Sequence, residues 1–271
     1  MITALVTIVR GRHAHLGGML RGSRRATRRP DVVSVCAMDD PAIEGIVRSV
    51  WPDAVCTSVA CDPARLPLSA ARNAAAKAAI YAGAEMLVFL DVDCIPSPGL
   101  FARYDQVLSE ADAVPTIAAG EVAYLPPTPN GYPADGLDGL ADPHPERPIL
   151  APGETRRATD FRLFWSLSFA MRAQDWVRSG GFDERYTGYG AEDTDFGARV
   201  EAAGGQLLWV GGARAFHQYH DNPMPPVHHL DDIVRNARLF HATWGWWPME
   251  GWLREFDALG LVCFDGRDLR S

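Results

Sequence analysis

Asp91 and Asp93 stand one residue apart at the end of the apolar run Leu87–Leu90, and Pro96 follows three positions later. Two carboxylates this close repel each other unless a positive charge lies between them, and a divalent metal carrying a phosphate is the usual partner. An aspartate-rich turn after a strand would look the same, so the pair gains weight only from company. Glu192, Asp193 and Asp195 open a helical pattern directly after Gly188-Tyr189-Gly190-Ala191. The helix dipole alone would favour acids there. It does not explain the two glycines, which give a turn through which backbone approaches a ligand. Nor does it explain Tyr189, whose ring offers a stacking platform. Asp193, desolvated by a bound hydroxyl compound, would then be available as a general base. His217 and His220 follow the last strand-like run, and with an aspartate of the first pair they would complete an oxygen and nitrogen site suited to Mn²⁺.

Other polar residues fall where strand-like runs stop. Arg10-Gly11-Arg12-His13-Ala14-His15 follows Ala4–Val9, and it suits a phosphate or nucleobase as well as a polar helix start. Asp39 and Asp40 follow Val32–Ala37. Asp40 reads first as a cap for a helix beginning near Pro41, while Asp39 is open as a contact to a base or ribose. Arg72 and Asn73 interrupt an alanine-rich stretch near its amino end, where a bound anion is favoured. A solvated polar stripe is the other reading of that pair.

These residues need a scaffold that gathers them at one edge. Ala4–Val9, Val32–Ala37, Ala54–Ala60 and Leu87–Leu90 predict strands, the last buried on both faces under helices. Open α/β sheets bind ligands at the carboxyl ends of such strands. Ser69–Ala79 predicts a helix of small side chains lying close on the sheet, with Ser69 as cap and Gly83 as its end. Leu100–Leu108 predicts a helix and Ala113–Leu125 one or two strands. Pro126–Pro152 holds eight prolines and three glycines, the mark of a long functional or mobile loop. Core signals resume with a buried strand at Phe161–Met171, so the loop is no domain linker. A helix over Gln174–Arg178, one from Glu192 to Ala203, and a strand at Gln206–Val210 follow. The tail His228–Phe256 is helical and aromatic, and its tryptophans read as core.

Composition bounds the function. The chain has 271 residues, 47% of them hydrophobic and 22% charged, ordinary for a globular protein. A net charge of −8 speaks against a nucleic-acid binder, which would show a basic face. Five cysteines without CxxC spacing indicate neither a disulfide framework nor a structural zinc site. A cytoplasmic location is the simplest expectation, peripheral attachment to a membrane being compatible with it; no stretch is long and apolar enough for an integral segment.

Taken together, the motifs resemble a GT-A-fold glycosyltransferase, of the family 2 type that shares its carboxyl half with β-1,4-galactosyltransferases. Arg10–Leu16 resembles the arginine-rich turn those enzymes have after strand one, and Phe89–Pro96 their metal motif. Gly181-Phe182 through Gly188-Tyr189-Gly190-Ala191-Glu192-Asp193 resembles their Gly-Phe…Gly-Trp-Gly…Glu-Asp block. Ser69–Asn73 is similar to the Ala-Arg-Asn segment of family 2 transferases, and His217 and His220 fall where galactosyltransferases place metal ligands. Tyr189 stands where those enzymes have tryptophan, which makes their acceptor preference unsafe to transfer.

The resemblance implies an α/β GT-A (Rossmann-like) domain over residues 1–223, with a mixed, mainly parallel sheet flanked by helices. Its nucleotide-sugar half would be about 1–110 and its acceptor half about 111–223, with 224–271 a helical extension packed on it. Donor contacts fall to Arg10, Arg12, Asp39, Arg72, Asn73 and Asp91, and acceptor contacts to Tyr189, Gly190 and Trp165. Asp93, His220 and His217 would ligate Mn²⁺ or Mg²⁺, Glu192 would bind the acceptor hydroxyl region, and Asp193 would be the catalytic base. The implied partners are a nucleotide-sugar donor, a UDP-sugar first, and a glycan or small-molecule acceptor. Transfer would invert the anomeric carbon. A retaining transferase of the same fold, a nucleotidyltransferase, and a catalytically silent sugar-binding module are the alternatives. The single glycine in the Arg10–Leu16 turn counts against the nucleotidyltransferase.

Overall fold

The computed structural model of the protein describes residues 1–221 and 223–270. Asn222, in the stretch after the last expected strand, and Ser271, at the end of the expected extension, lie outside the described residues. The first part alternates strand and helix: β1 (Thr3–Val9), α1 (His13–Arg25), β2 (Val32–Met38), α2 (Ala42–Val50), β3 (Val55–Val59), α3 (Leu68–Tyr81) and β4 (Met86–Leu90). β1 runs parallel to both β2 and β4, and β2 parallel to β3. The unbroken apolar runs follow from burial on both faces. Leu5 and Val9 pack with Leu16, Met19 and Val47 beneath α1 and α2, while Ala4, Val6 and Ile8 pack with Ala71, Ala75 and Ala79 of α3. The alanines let α3 sit close on the sheet, so close that the Ser34 hydroxyl donates to the carbonyl of Ala75 at 2.8 Å.

One expectation fails at the start of that helix. Ser69 does not cap α3: the helix begins at Leu68 after Pro67, and the Ser69 hydroxyl is buried without a protein partner. Pro67 holds the boundary position, outside the helix, so the serine falls within the first turn and past the place of a cap.

The second part is mixed. β5 (Cys94–Pro96), α4 (Leu100–Glu110), β6 (Thr116–Tyr124), β7 (Asp142–Pro143), β8 (Thr155–Arg157), β9 (Ser168–Arg172), α5 (Ala173–Ser179), α6 (Glu192–Ala202) and β10 (Gln206–His217) complete it. The sheet order is β3-β2-β1-β4-β9-β6-β10-β5, with β7 on β6 and β8 on β10. β9 lies antiparallel between β4 and β6, and β6 and β10 are parallel.

Two strands differ from their sequence signals. The expected strand over Phe161–Met171 is confined to β9; Phe161–Leu163 form a 3-10 turn that Asp160 caps by accepting from the Arg162 amide at 2.8 Å. Phe161 and Phe164 are apolar because they pack with Phe196 of α6 and not because they extend the sheet. The last strand, expected to stop at Val210, runs on to His217 across a register shift between Val210 and Ala215. Gly211 and Gly212 form an irregularity within the strand and do not end it. A Cβ at Gly211 would strike the Ala151 backbone, and Gly212 holds a φ of +89°, so both positions require glycine.

The carboxyl-terminal residues form α7 (Leu230–Trp244), α8 (Glu250–Ala258) and a small hairpin of β11 (Cys263–Phe264) and β12 (Leu269–Arg270). Gly245, at φ +75°, divides the expected helical tail into two helices. These elements share a core of Ile233, Trp247, Leu253, Phe256 and Phe264, against which Tyr189 is packed. No helix among the described residues is long and apolar enough to cross a membrane.

Candidate active site

The carboxyl ends of β1, β4 and β10 and the amino end of α6 converge on one edge of the sheet. β5 is the reason two distant motifs meet there. It folds back against β10 with Cys94 opposite His217, which seats Asp93 beside that imidazole. His217 Nε2 lies 3.5 Å from Asp93 Oδ1, and His220 Nε2 lies 3.4 Å from Oδ2. One ligand atom from each of Asp93, His217 and His220 lies within 4.8 Å of the others. One carboxylate and two imidazoles form a mixed oxygen and nitrogen donor set that suits a transition-metal ion such as Mn²⁺ better than the oxygen-preferring Mg²⁺. His220 Nδ1 is 3.1 Å from the Asp221 carbonyl, which suits an N–H there, and an Nε2–H directed at Asp93 raises the His220 pKa; a bound metal ion would take the place of that Nε2 proton.

Burial opposes a charge on Asp93, yet His220, His217 and Arg12 outweigh it and bring its pKa down to about 2. Arg12 sits at φ +48° as the first boundary residue of α1, and its Nη1 lies 3.0 Å from Asp93 Oδ2. With three cationic or cationisable partners around it, Asp93 is ionised through the whole physiological range.

A second charged cluster faces this one. Arg72 of α3 is 6% exposed and bridges two halves of the site, with Nη2 3.2 Å from Asp91 at the end of β4 and Nη1 3.0 Å from Glu192 at the start of α6. Its guanidinium also lies over the Phe182 ring, 5.2 Å from the centroid. Burial raises the pKa of Asp91 to about 6 despite Arg72. Asp193 is raised to about 7, by burial first and by Glu192 second, against the opposing effects of Arg72 and of the Thr194 and Ser166 amides. A half-buried carboxyl group that changes charge near neutrality is suited to proton transfer. Asp195, the third acid of the motif, points elsewhere. It accepts from Trp244 Nε1 at 2.8 Å and pairs with Arg199, tying α6 to α7.

The turn before α6 is built for closeness. Gly188, Gly190 and Ala191 all have positive φ, and a Cβ at Gly188 would run into the Asp232 carboxylate. Tyr189 is stacked on His229, with ring centroids 4.5 Å apart, and more loosely on Trp252. Asn236 of α7, 1% exposed, holds the turn: its side-chain amide donates to the carbonyls of Thr187, Tyr189 and Gly190 at 3.1, 3.2 and 2.9 Å. Asn236→Ala would strip the Tyr189 and Gly190 carbonyls of this donor and leave the Thr187 carbonyl to Arg235 alone, around one small void. It is expected to cost about 2–3 kcal/mol and to loosen the turn, seen as a lower thermal midpoint together with a reduced turnover.

The remaining expected residues are engaged as follows. Arg10 donates through Nη1 to the Met38 and Asp39 carbonyls and to Cys61 Sγ, at 2.7, 3.0 and 3.0 Å, so it braces the end of β2. Asp39 is exposed at φ +51°. Asp40 accepts from the Ala42 amide, the capping contact expected of it, and also binds the Gly11 amide and His13. Asn73 clamps the Phe182 backbone in both directions, at 2.8 and 2.9 Å, and donates to Glu184 at 2.9 Å. Trp165 is half-buried beside His144, ring centroids 4.8 Å apart, and His144 lies 5.6 Å from Tyr124, which in turn lies 5.0 Å from His217. That row of rings runs from the Asp93 cluster toward Asp193. Sequence reasoning missed Tyr124, His144, Arg147 and Asn236. Only Asn236 left a trace, a polar residue among the buried apolar positions of an amphipathic helix.

Comparison with known proteins bears on the fold that carries these residues. A family model described as the N-terminal domain of galactosyltransferase matches residues 154–221, the segment from β8 through β10 to His220. Validoxylamine A glucosyltransferase of Streptomyces hygroscopicus subsp. limoneus is 28% identical over 71% of this chain and 46% of its own length. Chondroitin synthase of Escherichia coli is 29% identical over 56% of this chain and 25% of its own length. The chain thus spans less than half of either relative. In fold it is similar to a crystal structure of GalNAc-T7 with UDP, GalNAc and Mn²⁺, at a TM-score of 0.59 and 14% identity, covering 86% of this chain and 47% of that one. The chain has a GT-A-like fold and is homologous to enzymes that transfer sugars.

Proposed function

We propose that the protein transfers a sugar from a UDP-sugar to a hydroxyl acceptor, inverting the anomeric carbon. The observation that carries this reading is the pairing of two clusters at one sheet edge, a cation-ready Asp93–His217–His220 set and a proton-transferring Asp193 set. Asp93, His217 and His220 would hold Mn²⁺ or Mg²⁺. Such an ion, when bound, offsets the charge on a departing nucleoside diphosphate, a Lewis-acid contribution. Arg12, partly exposed beside Asp93, is placed to reach a phosphate. Asp91 addresses the donor ribose or sugar while Arg72 restrains it.

On the acceptor side, Glu192 orients the hydroxyl and Asp193 takes its proton as the oxygen attacks the anomeric carbon. The half-buried Trp165 and the row Tyr124–His144 wall the space between the clusters and keep water from the donor. Arg10 and Asn73 act one step back, by fixing the loops that carry Asp39 and Phe182. The acceptor is a glycan or a hydroxylated small molecule, in keeping with the range of substrates in the names of the relatives.

The test is calorimetric titration with UDP and with GDP, each with and without Mn²⁺. UDP is expected to bind in the presence of Mn²⁺ and to lose at least ~10²-fold in affinity without it or in Asp93→Asn. Equal binding with and without metal, or none at all, would remove the site as assigned.

A further inference from the structure

A cavity of about 330 Å³ opens beside α6. It is lined by Thr159, Asp160 and Arg162 from the stretch before β9, by Thr194 and Glu201 of α6, and by Trp246 from the link between α7 and α8. Its volume is that of a small-molecule site. Thr194 lies in the first turn of α6 and Glu201 near its end, so the cavity follows about 10 Å of the helix.

Thr194 joins this cavity to the proposed base. Its side chain is buried, its hydroxyl lies 3.4 Å from Asp193 Oδ1, and its amide donates to the same oxygen at 2.8 Å. A molecule held in the cavity is therefore one side chain away from the carboxylate that takes the acceptor proton.

The lining says what kind of molecule that is. Trp246 is half-buried, with the Phe240 ring against it at 4.4 Å between centroids and the Arg162 guanidinium 4.5 Å from its ring. The part of the indole left open is a flat apolar surface, on which the C–H face of a sugar ring packs. Around it stand two hydroxyls, from Thr159 and Thr194, two carboxylates, from Asp160 and Glu201, and the Arg162 guanidinium. Donors and acceptors are thus mixed, as the hydroxyls of a saccharide require. Asp160 is already set in place, since its Oδ1 accepts from the Arg162 amide at 2.8 Å and lies 4.0 Å from Arg162 Nε. Two acids against one cation disfavour an anionic occupant.

We propose that this cavity is an acceptor subsite, which takes the uncharged saccharide unit next to the one whose hydroxyl is attacked. The assignment rests on the reading of Asp193 as the base. It makes the acceptor an oligosaccharide, selected by Arg162 and Trp246 at a distance from the reacting atoms.

The experiment is an array of immobilised neutral, sulfated and carboxylated glycans, probed with the full chain in the presence of UDP and Mn²⁺. The glycans that respond are then titrated into the unaltered protein, Arg162→Ala and Trp246→Ala. Neutral glycans of two or more units should respond. Each variant should weaken their binding by roughly tenfold and leave UDP binding unchanged. With the same glycans as acceptors, KM should rise by that factor while kcat holds, because the contact is made equally before and during transfer. The Arg162 side chain is exposed, so its variant reads the subsite even where Trp246→Ala, which loses the contact with Phe240, fails to fold. A silent array, a response confined to charged or single-unit glycans, or unchanged affinity in Arg162→Ala overturns the proposal. Failure of the base reading looks different: Asp193→Asn would go on transferring sugar while the affinity loss in Arg162→Ala persisted.

Discussion

Asp193→Asn is expected to abolish sugar transfer, by roughly 10³-fold or more, while nucleotide binding stays within about twofold of the original. The loss follows from chemistry, since an amide cannot accept the acceptor proton. The preserved binding follows from geometry, since the cation-ready set of Asp93, His217 and His220 belongs to the turn before β5, the end of β10 and the segment after it and not to α6. Asparagine keeps an oxygen for the Thr194 amide, which donates to Asp193 Oδ1 at 2.8 Å, so the start of α6 should stand. The variant should also be more stable, and only at high pH. The pKa of Asp193 is raised to about 7, so the fold holds that proton more tightly than the unfolded chain does. The cost of ionising it is absent near pH 4 and complete above pH 7. Melts of the two proteins should coincide near pH 4 and separate progressively as pH rises, by up to about 4 kcal/mol near pH 8. A dead enzyme that is the more stable protein marks a group kept for function. An active Asp193→Asn, or one that no longer binds nucleotide, would make Asp193 structural.

Much of this site is legible in the sequence because its parts sit at places where local rules already apply. Asp91 and Asp93 end a strand whose apolar run announces burial on both faces, and open sheets gather ligands at that edge. Gly188 and Gly190 announce backbone that only glycine allows, and the acids after them announce a helix start. What the sequence withholds are the contacts made across long separations. Asp93 and His217 meet because β5 folds back on β10, a three-residue strand with no periodic signal. Val210 seemed to end a strand since two glycines follow it, yet the same glycines are what let β10 continue past Ala151 to deliver His217. Phe161 and Phe164 read as strand residues because apolar aromatic character reports burial and not backbone shape. Arg147 is the extreme case. Nothing in a run of prolines and glycines says that one arginine is drawn between Trp165 and Trp209, and only the tertiary contact makes it visible.

Arg72→Met is expected to be the most damaging single change to the fold at neutral pH and to recover in acid. Asparagine at position 193 removes a charge from a crowded cluster; methionine at position 72 removes the cation that makes the cluster tolerable. Arg72 is buried and contacts Asp91 and Glu192 directly, and Asp193 lies close enough to feel its field. Without it, the carboxyl groups share a poorly solvated space with no counter-charge among them, a change that typically costs about 3–5 kcal/mol. The direction of the pH dependence follows from proton affinity. Asp91 already has a pKa of about 6 and Asp193 of about 7 with the guanidinium present, and both would rise further without it. Groups whose folded pKa lies above the unfolded value bind extra protons in the fold, so stability is full below about pH 4 and falls as pH climbs through the folded values. The destabilisation of Arg72→Met relative to the unaltered chain should therefore be large at pH 8 and shrink markedly at pH 5. Arg72→Lys, which keeps a charge but cannot bridge two acids with separate nitrogens, should fall between them. Because Asp91 ends β4 and Glu192 begins α6, losing the bridge also separates the donor side of the site from the acceptor side, and transfer should fail even in acid where the fold recovers. Thermal melts of the three proteins across this pH range, paired with donor turnover, decide the matter. A pH-independent loss would mean that Arg72 acts by packing on Phe182 alone.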